Sequence, residues 1–453
     1  MVAERKLFGT DGVRGIANRY PMTSEVALAL GRAAAHVLRR DQRRHAVVIG
    51  KDTRLSGYML ETALASGVCS MGVNVMLVGP LPTPGVAFIT RQMRADFGVM
   101  ISASHNPYRD NGIKFFDRAG YKLSDEIENE MEQAIDCGEL AAIRPTAEDI
   151  GKAVRIDDAA GRYITFLKST VPTGITFEGL KIVLDCAHGA AYRIAPAVFS
   201  ELGAHVITMG VNPDGRNINQ GCGSLHPESM AAVVRERGAD CGCAFDGDAD
   251  RIIMCDAQGH LIDGDTILAL CARDMLQRGV LPQKTVVATT MSNIGLDLAL
   301  QQLGIRLVRS DVGDRYVLQA MREAGCNLGG EQSGHIIFSD FNTTGDGVLG
   351  ALQVVTLMCR EGKPLSTLRE ILTPLPQIMT NVRVREKRPL ADVATVTRLI
   401  TQFERELGGR GRIVVRYSGT EALARVMVEG ESGDRIRTIA DTIAGEIATQ
   451  LGE

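Results

Sequence analysis

The sequence predicts an α/β protein with mixed and largely parallel sheets. It is expected to form three consecutive α/β domains followed by a smaller carboxy-terminal α+β domain. Two observations carry this expectation. Runs rich in Val and Ile are nearly continuous rather than alternating, and helical stretches separate them; that is how strands covered on both faces read. The chain also has 453 residues, more than a single hydrophobic core holds.

Taken in order, "HAVVIG" (45–50) leads into a helical stretch from Tyr58. "VNVMLVG" (73–79) leads into a turn and helix in "PLPTPGVAFITRQM", and "FGVMIS" (97–102) follows. Later strands are expected at "KIVLDC" (181–186), "HVITMG" (205–210), "CGCAF" (241–245), "IIMCD" (252–256) and "TVVATT" (285–290). The last block differs. "QIMTNVRV", "ATVTRLITQFEREL", "GRIVVRY" with "LARVMVEG", and "DRIRTIADTIAGEIATQL" read as strand, helix, strand pair and helix. The expected domains are 1–153, 154–254, 255–366 and 367–453.

Composition narrows the function classes. Apolar residues make up 45% and charged residues 23%, as in ordinary globular proteins. Fifty basic against fifty-four acidic residues give a net charge of -4, with no basic excess for nucleic acid. No apolar run approaches the ~18–20 residues of a membrane span. The ten cysteines include no C-x-x-C pair, and they read as buried free thiols. "MVAERKLFGTDG" has no apolar signal region, so a reducing cytoplasm is expected. A homodimer is left open.

Ligands of open α/β sheets bind beyond the carboxyl ends of strands, and four loops there carry chemistry. The first presents Ser104, His105 and Asn106, with Lys114 close behind. Ser, Asn and Pro also cluster in plain turns; G-x-S-x-G is absent, which argues against a hydrolase elbow. The second, "FDGDADRIIMCD", sets Asp246, Asp248 and Asp250 at alternate positions after an apolar strand. Carboxylates so placed suit a small oxygen-seeking cation, the alternative being a solvated acidic turn. An EF-hand loop fails, because Arg251 and Ala257 stand where Gly and Glu are needed. The third, "LGGEQSGHIIF", alternates Glu331, Ser333 and His335, which suits a polyhydroxylated ligand or a simple hairpin. The fourth, "RYSGTEALAR", offers donors at Arg416, Ser418, Gly419, Thr420 and Arg425. Arginine with backbone amides is the chemistry of phosphate capture, though a tight turn is again the plainer reading. Together the loops imply phosphoryl transfer to or from a sugar phosphate.

"SASHNP", "DGDADR", "GEQSGH" and "RYSGTE" resemble, in order, the four signature loops of the α-D-phosphohexomutases. "LFGTDGVRG" (7–15), "KDTRLSG" (51–57), "TTMSNIGL" (289–296) and "VGDRYV" (312–317) resemble the branch of that family acting on glucosamine phosphates. The resemblance spans nearly the whole chain. It implies four domains around a central cleft and conversion of glucosamine 6-phosphate to glucosamine 1-phosphate through a 1,6-bisphosphate, supplying UDP-N-acetylglucosamine synthesis. It implies that Ser104 carries the phosphate required for activity. One Mg²⁺ would be held by Asp246, Asp248, Asp250 and a phosphate oxygen of Ser104. Glu331 and Ser333 match the grip on sugar hydroxyls. Arg416, Ser418, Gly419, Thr420 and Arg425 match the clamp on the non-reacting phosphate.

Phosphoserine and three aspartates call for cations, and Lys114, Arg251 and Arg14 are the matching candidates. For the general base the order is Lys114, then His335, with His105 orienting the serine loop. A lysine has an ordinary pKa of ~10.4, so Lys114 would need it lowered to act as a base. One departure from the family pattern is that Tyr417 and Ala422 stand at the clamp's usual proline positions, leaving the loop less pre-set. Three other readings are open. One is a phosphomannomutase or phosphoglucomutase of the same family. Another is a non-catalytic sugar-phosphate sensor, which could dispense with Ser104 and the aspartates. The third is a phosphatase using Asp246.

Overall fold

Phe97–Ile101, Cys241–Phe245 and Thr285–Thr289 are buried at every residue, as continuous apolar strands between helical layers must be. They sit near the middles of three successive sheets in a computed structural model that describes residues 7–9, 11–39, 45–418 and 422–452. The first sheet holds β1 (Val13–Ile16), β2 (Ala46–Lys51), β3 (Asn74–Pro80), β4 (Phe97–Ile101), β5 (Asp110–Asp117) and β6 (Ala153–Arg155), in the order β1-β5-β4-β2-β3-β6. The second holds β7 (Lys181–Asp185), β8 (His205–Met209), β9 (Cys241–Phe245), β10 (Ile252–Asp256) and β11 (Leu261–Ile262), in the order β11-β10-β9-β7-β8. The third holds β12 (Thr285–Thr289), β13 (Arg306–Ser310), β14 (Leu328–Gly330) and β15 (Ile336–Phe338), in the order β13-β12-β14-β15.

These three sheets repeat one topology that no residue repeat reveals. In each, a central strand pairs in parallel with two neighbours: β2 with β3 and β4, β7 with β8 and β9, β12 with β13 and β14. The chain then doubles back antiparallel, as β4–β5, β9–β10 and β14–β15. The first three signature loops are the tips of these doubled-back pairs. A hairpin and a functional loop are therefore the same object here. The second sheet takes in β10 and β11, so the division expected at 254/255 cuts a strand. The reason is that β10 returns against β9 rather than opening the next unit.

Helices cover the sheets, and their starts follow local chemistry. Asp263 caps Gly264–Gln277 by accepting from Thr266 N, and Asp346 caps Gly347–Glu361 by accepting from Leu349 N. Asp346 also receives a hydrogen bond from the Tyr163 hydroxyl at 2.7 Å, tying the helix Ala159–Ser169 to the third unit. One continuous apolar core runs through all three units, from Val48 and Phe116 through Phe245 and Ile252 to Leu352 and Leu368.

The fourth unit is built apart. Its sheet of β16 (Gln377–Arg383), β17 (Gly411–Tyr417) and β18 (Leu423–Gly430), ordered β16-β18-β17, is packed with the helices Ala394–Leu407 and Gly433–Leu451. Its core of Val396, Phe403, Val426, Ile439, Ile443 and Ile447 is separate from the large one. The joint to the third unit is polar. Asn293 donates to Leu375 O at 2.9 Å and accepts from Leu375 N at 3.0 Å, while Arg412 donates to Ser292 O at 2.9 Å. Asp265 accepts from Asn293 N at 2.7 Å. Among the described residues no helix is long and apolar enough to cross a membrane.

Asp265 is wholly buried, and burial first, then Asp263, pushes its carboxyl up to about 7. The folded state thus keeps its proton while the unfolded chain releases it, so this group's stabilisation is complete below pH ~4 and falls as pH rises toward 7. Asp265→Asn removes that loss. Its stability relative to the parent should rise between about pH 4 and 7, by at most about 1.4 kcal/mol per pH unit, and then level off. Urea unfolding across that range measures it; a constant difference would contradict the assignment.

Candidate active site

The chain leaves β4 through Ser102 and turns at Ser104, which holds a left-handed φ of 52°. A non-glycine residue holds that conformation when its surroundings over-determine it, and here they do. The Ser102 hydroxyl donates to Asp52 at 2.6 Å and accepts from Ser104 N at 2.9 Å. Arg54, fully buried, donates to Asp52 Oδ2 at 2.8 Å, to Ser104 O and Asn106 O at 2.8 Å each, to Asp110 O at 3.1 Å, and to Pro107 O. A single guanidinium thus holds four carbonyls of the serine turn. The Asn219 amide, from the second unit, adds bonds to Ser104 O at 2.9 Å and Asn106 O at 3.1 Å. The Ser104 hydroxyl donates to Asp246 Oδ2 at 2.5 Å and lies 3.2 Å from His105 Nδ1.

The β9–β10 tip brings the three aspartates to that hydroxyl. Asp246 and Asp248 are wholly buried and Asp250 nearly so. Gly247 makes the approach possible, because a Cβ there would lie 2.5 Å from Ser104 O. One carboxylate oxygen from each aspartate lies within 4.8 Å of the others. Asp248 Oδ2 accepts from Thr83 at 2.6 Å and from Lys114 at 3.0 Å. Asp248 Oδ1 and Asp250 Oδ1 are buried with no hydrogen-bond partner among the described residues. Burial first, then the neighbouring carboxylates, holds Asp246 and Asp250 above the usual carboxylate range. Burial pushes Asp248 the same way, but Lys114 and its hydrogen bonds outweigh it and hold that carboxyl low. Converging hard oxygens, two of them buried without a partner, fit a divalent cation such as Mg²⁺.

Lys114 comes up from β5 beneath this group, 3.0 Å from Asp248, 3.8 Å from Asp250 and 3.3 Å from Asp11. Burial alone would lower its pKa, yet Asp11, Asp248 and Asp250 outweigh it and hold the ammonium above the ordinary lysine range. This is the opposite of the lowering that a lysine base requires.

Above these groups opens a cleft of about 480 Å³ whose lining includes Arg14, Ser104, His105, Asp250, Arg251, Glu331 and His335. Arg251 N donates to Asp246 Oδ1 at 3.2 Å, and its guanidinium reaches 4.0 Å from Asp250. The β9–β10 and β14–β15 tips are joined directly: the backbones of Arg251 and His335 form a β-bridge, and Ile252 N donates to Gly334 O at 3.1 Å. Gly334 has φ 91°, and a Cβ there would meet Ile252 O at 1.9 Å. Glu331 accepts from Gly313 N and from Ser333 Oγ at 3.0 Å each. His335 is buried, with Nε2 3.7 Å from Asp314 and 3.9 Å from Asp250, and neither ring nitrogen has a hydrogen-bond partner among the described residues. Burial, then Arg251 and Arg14, pulls His105 down to about 4, so it is neutral. Arg14 pairs with Asp11, and Lys122 bridges Asp11 to Asp314, linking the first and third units.

The fourth loop stands elsewhere. Arg416, Ser418 and Arg425 do not line this cleft; they belong to the β17–β18 hairpin, where Arg416 pairs in register with Arg425. Like charges directly opposed across strands are unfavourable by themselves. Gly419 and Thr420 lie outside the described residues. Asp11, Asp52, Arg54, Thr83, Lys122, Asn219 and Asp314 were not singled out from the sequence. Several sit inside quoted motifs, but only their long-range partners give them a role.

Four family models match in succession: phosphoglucomutase/phosphomannomutase domain I at 5–141, domain II at 161–259, domain III at 263–375 and the C-terminal domain at 379–446. A crystal structure of a phosphoglucomutase/phosphomannomutase family protein from Burkholderia thailandensis has the same fold, with TM-score 0.81 over 98% of this chain and 97% of that one at 24% identity. The phosphoglucosamine mutase of Citrifermentans bemidjiense is 58% identical over 99% of both chains. That of Anaeromyxobacter sp. (strain Fw109-5) is 60% identical over 99% of this chain and 96% of its own. The chain therefore belongs to the phosphohexomutase superfamily and, within it, to the phosphoglucosamine mutase family.

The orphaned oxygens make a direct metal-binding test available. Calorimetric titration with Mg²⁺ or Mn²⁺ should give one site per chain. Asp248→Asn and Asp250→Asn should each weaken it by about tenfold or more, as loss of an anionic oxygen ligand requires. Unchanged binding in both variants would mean that the cation sits elsewhere.

Proposed function

We infer that the protein is a phosphosugar mutase converting glucosamine 6-phosphate to glucosamine 1-phosphate, the precursor chemistry of UDP-N-acetylglucosamine, in the cytoplasm. One observation carries this reading. The Ser104 hydroxyl meets Asp246 at 2.5 Å on the wall of a cleft that also contains Arg14, Arg251, Glu331 and His335. The close relatives bear the name of the same activity.

In the first transfer, O1 of glucosamine 6-phosphate attacks the phosphorus carried by Ser104. The P–O1 bond forms as the bond to Ser104 Oγ breaks, and the proton leaving O1 ends on Oγ. The 1,6-bisphosphate then turns in the cleft. Ser104 Oγ takes the phosphoryl group from O6, O6 regains a proton, and glucosamine 1-phosphate leaves. A phosphoserine carries about -1.5 to -2 charges, so the fixed cations Lys114, Arg251 and Arg14 stabilise the charge spread over the transferring group. Asp246, Asp248 and Asp250 would hold a magnesium ion, which supplies further positive charge to the same oxygens.

The proton is moved by another group than Lys114, whose three carboxylate neighbours keep it charged. His335, in the cleft with both ring nitrogens without a partner, is the better-placed acid/base. His105 stays neutral against the serine hydroxyl and orients it. Glu331, braced by Gly313 and Ser333, accepts from sugar hydroxyls. Arg416 and Arg425 hold the phosphate that is not reacting.

Intact-mass analysis of the active protein should find one phosphate, mapped to Ser104. Ser104→Ala should lose both phosphate and turnover; full activity in that variant would overturn the mechanism. Assays with glucosamine, glucose and mannose 6-phosphates, each with its own 1,6-bisphosphate, should favour glucosamine. A preference for mannose or glucose would instead indicate a phosphomannomutase or phosphoglucomutase. Arg416→Ala removes a charge-assisted contact worth about 1.5–3 kcal/mol. It should weaken glucosamine 6-phosphate and 1-phosphate alike, by about ten- to a hundredfold. A defect in one direction only would rule out the shared clamp.

A further inference from the structure

We propose that Asn219 is the positioning residue that registers the serine turn against the metal loop. The proposal rests on Ser104 being the phosphoryl carrier. Asn219 comes from the second unit, between β8 and β9, in "NINQGCG" (217–223), a stretch that belongs to none of the four signature loops. Its side-chain amide donates to Ser104 O at 2.9 Å and to Asn106 O at 3.1 Å. These are two carbonyls of the turn that presents the nucleophile. The same nitrogen lies 2.8 Å from the point where a Cβ on Gly247 would fall, and Gly247 separates Asp246 from Asp248. The amide therefore stands in the seam between the hydroxyl and the carboxylates.

The backbone around this seam is held in an unusual state. Ser104, Asn219, Ala187, His188 and Ala249 all have φ between 50° and 59°. Asn219 N donates to Ala187 O at 2.9 Å, Ala187 N donates to Asp185 Oδ1 at 3.0 Å, and Thr53 Oγ1 donates to His188 O at 2.5 Å. The strained turns of the first and second units therefore brace one another, and Asn219 is where the bracing reaches Ser104. Asn is among the residues that tolerate this conformation, and its amide supplies the two donors that two carbonyls require. Arg54 grips the same carbonyls from within the first unit. It fixes the shape of the turn, whereas Asn219 sets the turn's position relative to Asp246.

Loss of the amide should then slow phosphoryl transfer without loosening the hold on the sugar, since Asn219 does not line the cleft. Displacing a reacting group by about 1 Å can cost a hundredfold in rate. Asn219→Gly keeps the left-handed backbone free of strain and removes only the side chain. Asn219→Asp keeps the shape but turns a donor toward two carbonyls into an acceptor.

Dephosphorylated protein, parent and both variants, is mixed with glucosamine 1,6-bisphosphate, and phosphate on Ser104 is followed by quenched-flow mass spectrometry. Steady-state kinetics are measured in parallel. The expected result is Ser104 phosphorylation slowed by about ten- to a hundredfold, with kcat falling in step. KM for glucosamine 6-phosphate and Mg²⁺ affinity should stay within about twofold of the parent. If Asn219→Gly fails to fold, Asn219→Asp decides. Parent protein that acquires no phosphate on Ser104 overturns the carrier reading and this inference with it. Normal labelling in the parent and in the folded variants, or a defect confined to KM, overturns the role of Asn219 alone.

Discussion

Asp246, Asp248 and Asp250 offer oxygens within 4.8 Å of one another in a pocket almost closed to water, and Lys114 presses against two of them. Buried like charges repel strongly, and a carboxylate taken from water without partners is costly. Such a group persists only where the surrounding structure is rigid and supplies compensating charge. Lys114 supplies part of it, Arg251 and Arg14 stand nearby, and the three converging carboxylates could hold a divalent cation that would supply the rest. This crowding raises Asp246 and Asp250, holds Asp248 down and keeps Lys114 charged. It also explains why a chain with net charge -4 concentrates basic side chains at one point.

Rigidity comes from sharing. The first three units have one continuous apolar core, and they meet again in polar ties that no single unit could make. Tyr163 reaches Asp346, Lys122 joins Asp11 to Asp314, and Arg251 bridges His335. Each of these three units contributes the tip of the same doubled-back strand pair, so Ser104, the aspartates and the Glu331–His335 loop converge by repetition of one topology. The fourth unit has its own core and a polar joint at Asn293 and Leu375.

Lys114 shows how context decides a side chain's chemistry. Its place ten residues after Ser104 suggests a base, and an unpaired buried lysine does lose its proton readily. Three carboxylates reverse that tendency. His335, second in order on sequence grounds, is buried in the cleft wall with neither ring nitrogen hydrogen-bonded among the described residues.

The residue order by itself determined the α/β class and the four signature loops, and it singled out Ser104, the three aspartates and the Glu331–His335 side chains as candidates. These are legible because strand burial and loop chemistry are local: apolar runs mark the strands, and the reactive residues follow within a few positions. Tertiary structure alone decided that β10 belongs to the second sheet, that three carboxylates surround Lys114, and that Asp52, Arg54 and Asn219 hold the serine turn. Arg54 grips carbonyls 50 to 56 positions away and Asn219 more than a hundred. Charge state and backbone strain depend on neighbours brought together through the shared core, and no local pattern encodes which neighbours those will be.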